Sequence, residues 1–151
     1  MRIALAILTI SLAACGEKEA PKKAVQKKTP VTDESQRFPK KDLVDVKIVE
    51  GAILGKEFLG GGNLAKYRKG KTEFELFLVK AAGPEASSIL MFDYKKQLAN
   101  AKFIAHFGGY FGKDGDRNVF LFAKGPWLAG IAGLAEQEAD AVAREFAARL
   151  N

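Results

Sequence analysis

The chain reads as an α+β domain, a mainly antiparallel sheet with two helices packed on it. Three observations predict this. Strand-length apolar runs recur, separated by short glycine-containing segments. An apolar stripe at helical spacing follows Gly83-Pro84, and a second one closes the chain as an amphipathic helix. The turns between strands are too short for crossovers, so neighbouring strands run antiparallel. Such grouping suits a sheet with its helices on one face.

Each element has its own warrant. Val44, Val46 and Ile48 alternate with Asp45, Lys47 and Val49, a period-two strand signal. Glu73 to Lys80 carries Phe74, Leu76 and Leu78 on one side and Phe77 and Val79 on the other, as a central strand does. Pro84 suits a first helical turn, and Glu85 complements the dipole. From there Ala86, Ile89, Leu90, Tyr94 and Leu98 form an inward stripe to Ala99. Short strands are expected at Lys102 to Phe107 and at Tyr110-Phe111, then a hairpin turn at Lys113-Asp114-Gly115-Asp116. Arg117 to Lys124 and Trp127 to Ala132 follow as strands, turned at Gly125-Pro126. Leu134 to Leu150 is the closing helix, with Ala135, Ala139, Val142, Phe146 and Leu150 on one face. Three consecutive glycines disfavour a helix, so Gly60-Gly61-Gly62 is expected as a loop, with Asn63 capping a short helix.

The first fourteen residues stand apart. Met1-Arg2 is a short positive start, and Ile3 to Ile10 is an apolar stretch too short to span a bilayer stably. Leu12-Ala13-Ala14-Cys15 follows. This quartet resembles the lipobox of bacterial lipoproteins. The resemblance implies cleavage of residues 1–14, diacylation of the Cys15 thiol and acylation of the new amino terminus. Two or more acyl chains make a stable anchor, whereas one holds only marginally. Residue 16 is Gly rather than Asp, which favours the outer membrane, facing the periplasm, if the source is Gram-negative.

Residues 15–41 read as the lipidated Cys and a basic, flexible tether, and 42–151 as one domain. Residues 16–41 hold eight Lys/Arg against four Asp/Glu, and residues 42–151 fifteen against fourteen, so the basic excess sits on the leash. A nucleic-acid binder would carry that excess on the fold, with aromatics interleaved, so no nucleic-acid partner is expected. The expected partners are the membrane, through the lipid anchor, and a protein of the envelope.

A second resemblance rests on Phe58-Leu-Gly-Gly-Gly-Asn-Leu-Ala, Gly83-Pro84-Glu85-Ala86-Ser87-Ser88-Ile89-Leu90, Phe107-Gly-Gly-Tyr110 and Phe120-Leu-Phe-Ala-Lys-Gly125. Over about residues 50–150 these look like an exported bacterial domain family of unknown function. It occurs in secreted proteins and lipoproteins. Asn63-Leu64 stands where that family tends to have Ala-Glu, and Ser87-Ser88 where it tends to have Phe-Gly. The resemblance implies a fold and a location, not a reaction, and it places the glycine segment in a helix.

Chemistry is sparse. One Cys excludes a disulfide framework, and one His excludes two-histidine sites. His106 with Ser87 or Ser88 and Asp93 could be drawn as a triad, but no Gly-x-Ser-x-Gly elbow exists. Asp114-Gly115-Asp116-Arg117-Asn118 begins like a calcium loop, yet Val119 and Gly125 stand where Gly and Glu are needed. Gly60-Gly61-Gly62 lacks a phosphate-loop context. No catalytic residue, metal or other cofactor is therefore expected. Tyr110, Phe111 and Trp127 are the expected exposed apolar patch for a partner. The expected role is a non-enzymatic accessory or protein-interaction subunit. The alternative is a periplasmic carrier that holds a small apolar or lipid ligand between sheet and helix.

Overall fold

A computed structural model describes residues 30–151. The leader, Cys15 and the basic segment to Thr29 lie outside the described residues. Seven strands form one antiparallel sheet: β1 (Leu43–Val49), β2 (Gly62–Lys69), β3 (Thr72–Lys80), β4 (Ala99–Ile104), β5 (Gly109–Asp114), β6 (Arg117–Lys124) and β7 (Trp127–Ala132). The helices are α1 (Pro84–Lys95) and α2 (Glu136–Ala147).

The order across the sheet is β1-β2-β3-β7-β6-β5-β4. Two meanders build it. The first is β1 to β3. After β3 the chain crosses the sheet through α1 to the far edge, and β4 to β7 run back toward the middle. β7 therefore lands beside β3, with Leu76 opposite Ile131 and Leu78 opposite Ala129. Two-residue turns at Gly70-Lys71, Gly115-Asp116 and Gly125-Pro126 close three of the hairpins.

The helices lie on opposite faces, not on one. The central strands are apolar on both sides, and each side needs a cover. Met91 and Tyr94 of α1, with Leu98 beyond it, pack over Phe77, Val79, Leu121 and Leu128. Ala139, Ala143 and Phe146 of α2, with Leu150 beyond it, pack over Leu76, Phe122, Ala129 and Ile131. Burying one such Phe or Leu contributes on the order of 2 kcal/mol.

Three local expectations are corrected. Asn63 caps no helix, and no helix runs through the glycines. Gly62 opens β2, which pairs with both β1 and β3. The glycines serve close approach: a Cβ on Gly61 would lie 2.5 Å from Val31 Cγ2 and 2.6 Å from the Val49 carbonyl oxygen. On Gly62 it would collide with the Leu78 carbonyl. Second, α1 ends at Lys95 and its buried stripe is Ser87, Met91 and Tyr94, so Ile89 points outward. Third, β4 covers Ala99–Ile104, which leaves His106 and Phe107 in the turn after it.

The end of the expected tether is part of the fold. Phe38 is fully buried and stacks on Phe146, with ring centroids 5.1 Å apart. The Tyr67 hydroxyl donates to the Pro39 carbonyl at 2.8 Å. Asn63 donates to the Thr32 carbonyl at 2.9 Å and accepts from the Glu34 N–H at 3.1 Å. Arg37 donates to the carbonyls of Arg149 and Asn151, both at 3.2 Å, which ties the strap to the segment that follows α2. The strap begins at Thr32, ten residues before the boundary read from composition.

Candidate functional site

Strand alternation separates the three residues expected to form an exposed patch. Tyr110 and Phe111 are consecutive in β5 and so face opposite sides. Phe111 points to the α2 side, with its ring centroid 6.5 Å from that of Phe120. Trp127 is only 4% exposed. Arg37 lies 4.8 Å from its ring centroid and Lys80 5.4 Å, so two cations close the indole in.

An exposed aromatic cluster does exist, built around Tyr110 from other residues. Phe92 on α1 is 46% exposed, and Phe103 on β4 is 56% exposed. Their ring centroids lie 6.1 and 5.5 Å from that of Tyr110. Phe103 is the cross-strand partner of Tyr110, which puts both on the α1 side. Ile89, 59% exposed, sits three residues before Phe92, on the neighbouring turn of the same helix. Lys95 Nζ lies 5.2 Å from the Tyr110 centroid at its rim. The signal for this cluster was in the helix. Setting Ser87, Met91, Tyr94 and Leu98 inward turns Ile89 and Phe92 outward, but a serine in the buried stripe hides that phase.

The drawn triad is not assembled. His106 is half exposed, and its Nε2 is hydrogen-bonded to the carboxylate of Asp140 on α2. Asp140 also accepts from Arg144 Nε at 2.8 Å. Burial raises the Asp140 carboxyl, but the hydrogen bonds and charges of Arg144 and His106 outweigh it and hold the group below its ordinary range. Ser87 is buried on the other side of the sheet and donates to the carbonyls of Pro84 and Gly125, at 2.9 and 2.7 Å. Ser88 donates to Pro84, and Asp93 pairs with Lys96. Among the described residues no hydroxyl is hydrogen-bonded to His106.

The calcium-like segment is a hairpin. The Asp114 carboxylate accepts from the Tyr94 hydroxyl at 2.8 Å and pairs with Lys56 Nζ at 3.0 Å. Among the described residues no group of three His, Cys, Asp or Glu side chains is placed to hold a metal ion. Burial first, then the hydrogen bond to Asp114, pushes the Tyr94 phenol far above its ordinary value, so it remains a donor.

Among the described residues three grooves border the sheet, and the largest, about 870 Å³, runs past Val31, Gly61, Val79 and Leu90. On the α2 side, about 370 Å³ lies among Tyr67, Phe74, Leu134, Val142 and Pro39, mostly apolar. On the α1 side, beyond the end of the helix, about 520 Å³ lies over a floor of Leu64, Val119 and Ala132. Among the described residues no helix is long and apolar enough to cross a membrane. No family model matches the chain, and no curated protein or solved structure matches it.

Proposed function

We propose that the chain is an exported bacterial lipoprotein, held by acylated Cys15, whose domain is a non-enzymatic interaction subunit of the envelope. The observation that carries the interaction role is the exposed cluster Ile89, Phe92 and Phe103 around Tyr110. Phe92 and Phe103 both pack on Tyr110 while staying exposed, with Ile89 exposed on the same helix, and such a contiguous apolar patch supports an interaction surface. The Leu12-Ala13-Ala14-Cys15 quartet behind a positive start and an apolar stretch supports the anchor. Gly16 favours the outer membrane in a Gram-negative cell. Residues 16–30 then limit the leash to roughly 50 Å at ~3.3 Å per residue. The partner is therefore a neighbour in the same layer, with an apolar surface complementary to the cluster.

Two changes test this together. Cys15→Ala should move the protein out of the membrane pellet. Phe92→Ser with Phe103→Ser should leave it in the pellet, folded, but free of the protein that co-purifies with the wild type in mild detergent. An unchanged co-purification profile would remove the cluster from the reading.

The apolar groove beside α2 favours one second reading, a carrier of a small apolar or lipid ligand. Its volume lies within the range of small-molecule sites. Organic extraction of the purified protein distinguishes the two. A stoichiometric lipid beyond the anchor, lost on Val142→Trp, would favour the carrier.

A further inference from the structure

The polar groove on the α1 side is a second site, because neither Phe92 nor Phe103 lines it. It crosses the half of that face which α1 leaves open. Lys47, Glu75, Arg117 and Asp114 stand at sheet positions facing the same side as the core residues Leu64, Val119 and Ala132. Glu75 and Asp114 are partly buried there, which costs desolvation, while Lys47 and Arg117 stay exposed to solvent. Two of the cations are paired and fixed. Arg117 Nη2 donates to Glu75 Oε2 at 2.9 Å. Lys56 bonds Asp114 and Gln97, both at 3.0 Å, and lies 4.9 Å from the Tyr94 centroid. Lys47 has no ion pair among the described residues, and the Nε and Nη1 groups of Arg117 have no hydrogen-bond partner there. Three cations thus face two carboxylates, a surplus of one positive charge above an apolar floor.

We propose that this groove binds a small organic monocarboxylate. Its carboxylate pairs with Lys47 and the unused N–H groups of Arg117. Its apolar body lies on Leu64, Val119 and Ala132. Guanidinium geometry suits a carboxylate, and the paired acids hold the fork in place without neutralising Lys47.

Amide chemical shifts of the labelled purified protein, titrated with phenylacetate, test it. Saturable shifts should appear at Leu64, Val119 and Ala132. Lys47→Gln and Arg117→Gln should each weaken binding about tenfold, the loss of one charge-assisted contact. Lys47 has no ion-pair partner to orphan, so its variant separates lost binding from lost folding. Phenylacetamide, which is neutral, should bind at least about tenfold more weakly. Inorganic phosphate, which lacks an apolar body, should do the same. The proposal is overturned by an absence of saturable shifts up to about 10 mM, weaker than the millimolar affinities of marginal ligands. It is also overturned if the amide or phosphate binds as tightly as phenylacetate, or if both variants bind like the wild type.

Discussion

The two faces of the sheet are closed to different degrees. The α2 face is covered by two elements, the helix and the strap that carries Phe38, which leave one apolar groove at its edge. Their aromatic rings continue into the sheet, from Phe38 to Phe146, Phe122, Phe107 and Phe120. The α1 face has a helix and the short turns at Ile53–Gly55 and Glu57–Leu59, which together cover only part of it. Among the parts left open there are the aromatic cluster at one end and the charged groove at the other. One sheet can thus be apolar on both sides yet stable on one and available on the other. How much of the face the covering elements span, not their number, decides which.

The contrast can be broken most forcefully at the strap. Phe38→Ala should destabilise the domain by about 3–5 kcal/mol, read by urea unfolding, because it empties a fully buried aromatic site. A loss within about 0.5 kcal/mol, as for an ordinary surface change, would return residues 32–41 to the tether.

A smaller effect is expected on the other face. Tyr94→Phe removes the hydrogen bond to Asp114 and should cost about 1–1.5 kcal/mol at neutral pH. Burial raises the native phenol above its unfolded value of about 10, so its contribution is whole below that pH. The contribution is lost as pH rises toward the native value. Tyr67, raised mainly by burial, acts in the same direction. Wild-type stability should therefore fall above about pH 10, and the variant should fall less steeply. Parallel curves would mean that Tyr94 is not sealed.

The smallest effect belongs to the rim of the α2 face. Asp140→Asn weakens the contacts with His106 and Arg144, and should cost no more than about 1 kcal/mol at low salt. A carboxyl lowered by its partners contributes above its unfolded value of about 3.9 and loses that contribution as pH falls through its native value. The difference between variant and wild type should shrink in acid and in high salt. A difference that persists in both would mean that packing, not charge, holds this corner.

Much of the fold was legible locally. The expected bounds of β6 and β7 match the structure, and β3 differs by one residue. Period-two patterns and glycine turns are local, and neighbouring residues alone decide them. β2 was not legible, because Gly62-Asn63-Leu64-Ala65 carries no strand signal until β1 and β3 pair with it on both sides. The candidate site was legible in one residue. Tyr110 does lie in an exposed aromatic cluster, but its companions come from a helix and a neighbouring strand, and Phe111 falls on the other side of the pleat.

The amino-acid order by itself determined where most strands and turns occur, though not β2, which strands are apolar on both sides, and that the charge excess lies ahead of the domain. Tertiary structure decided which helix covers which face, that Phe38 and Trp127 are buried, and that Lys47, Lys56, Asp114 and Arg117 share a groove. Those outcomes depend on contacts between residues far apart in the chain. β7 returning beside β3 sets which positions meet, and no local pattern records that meeting.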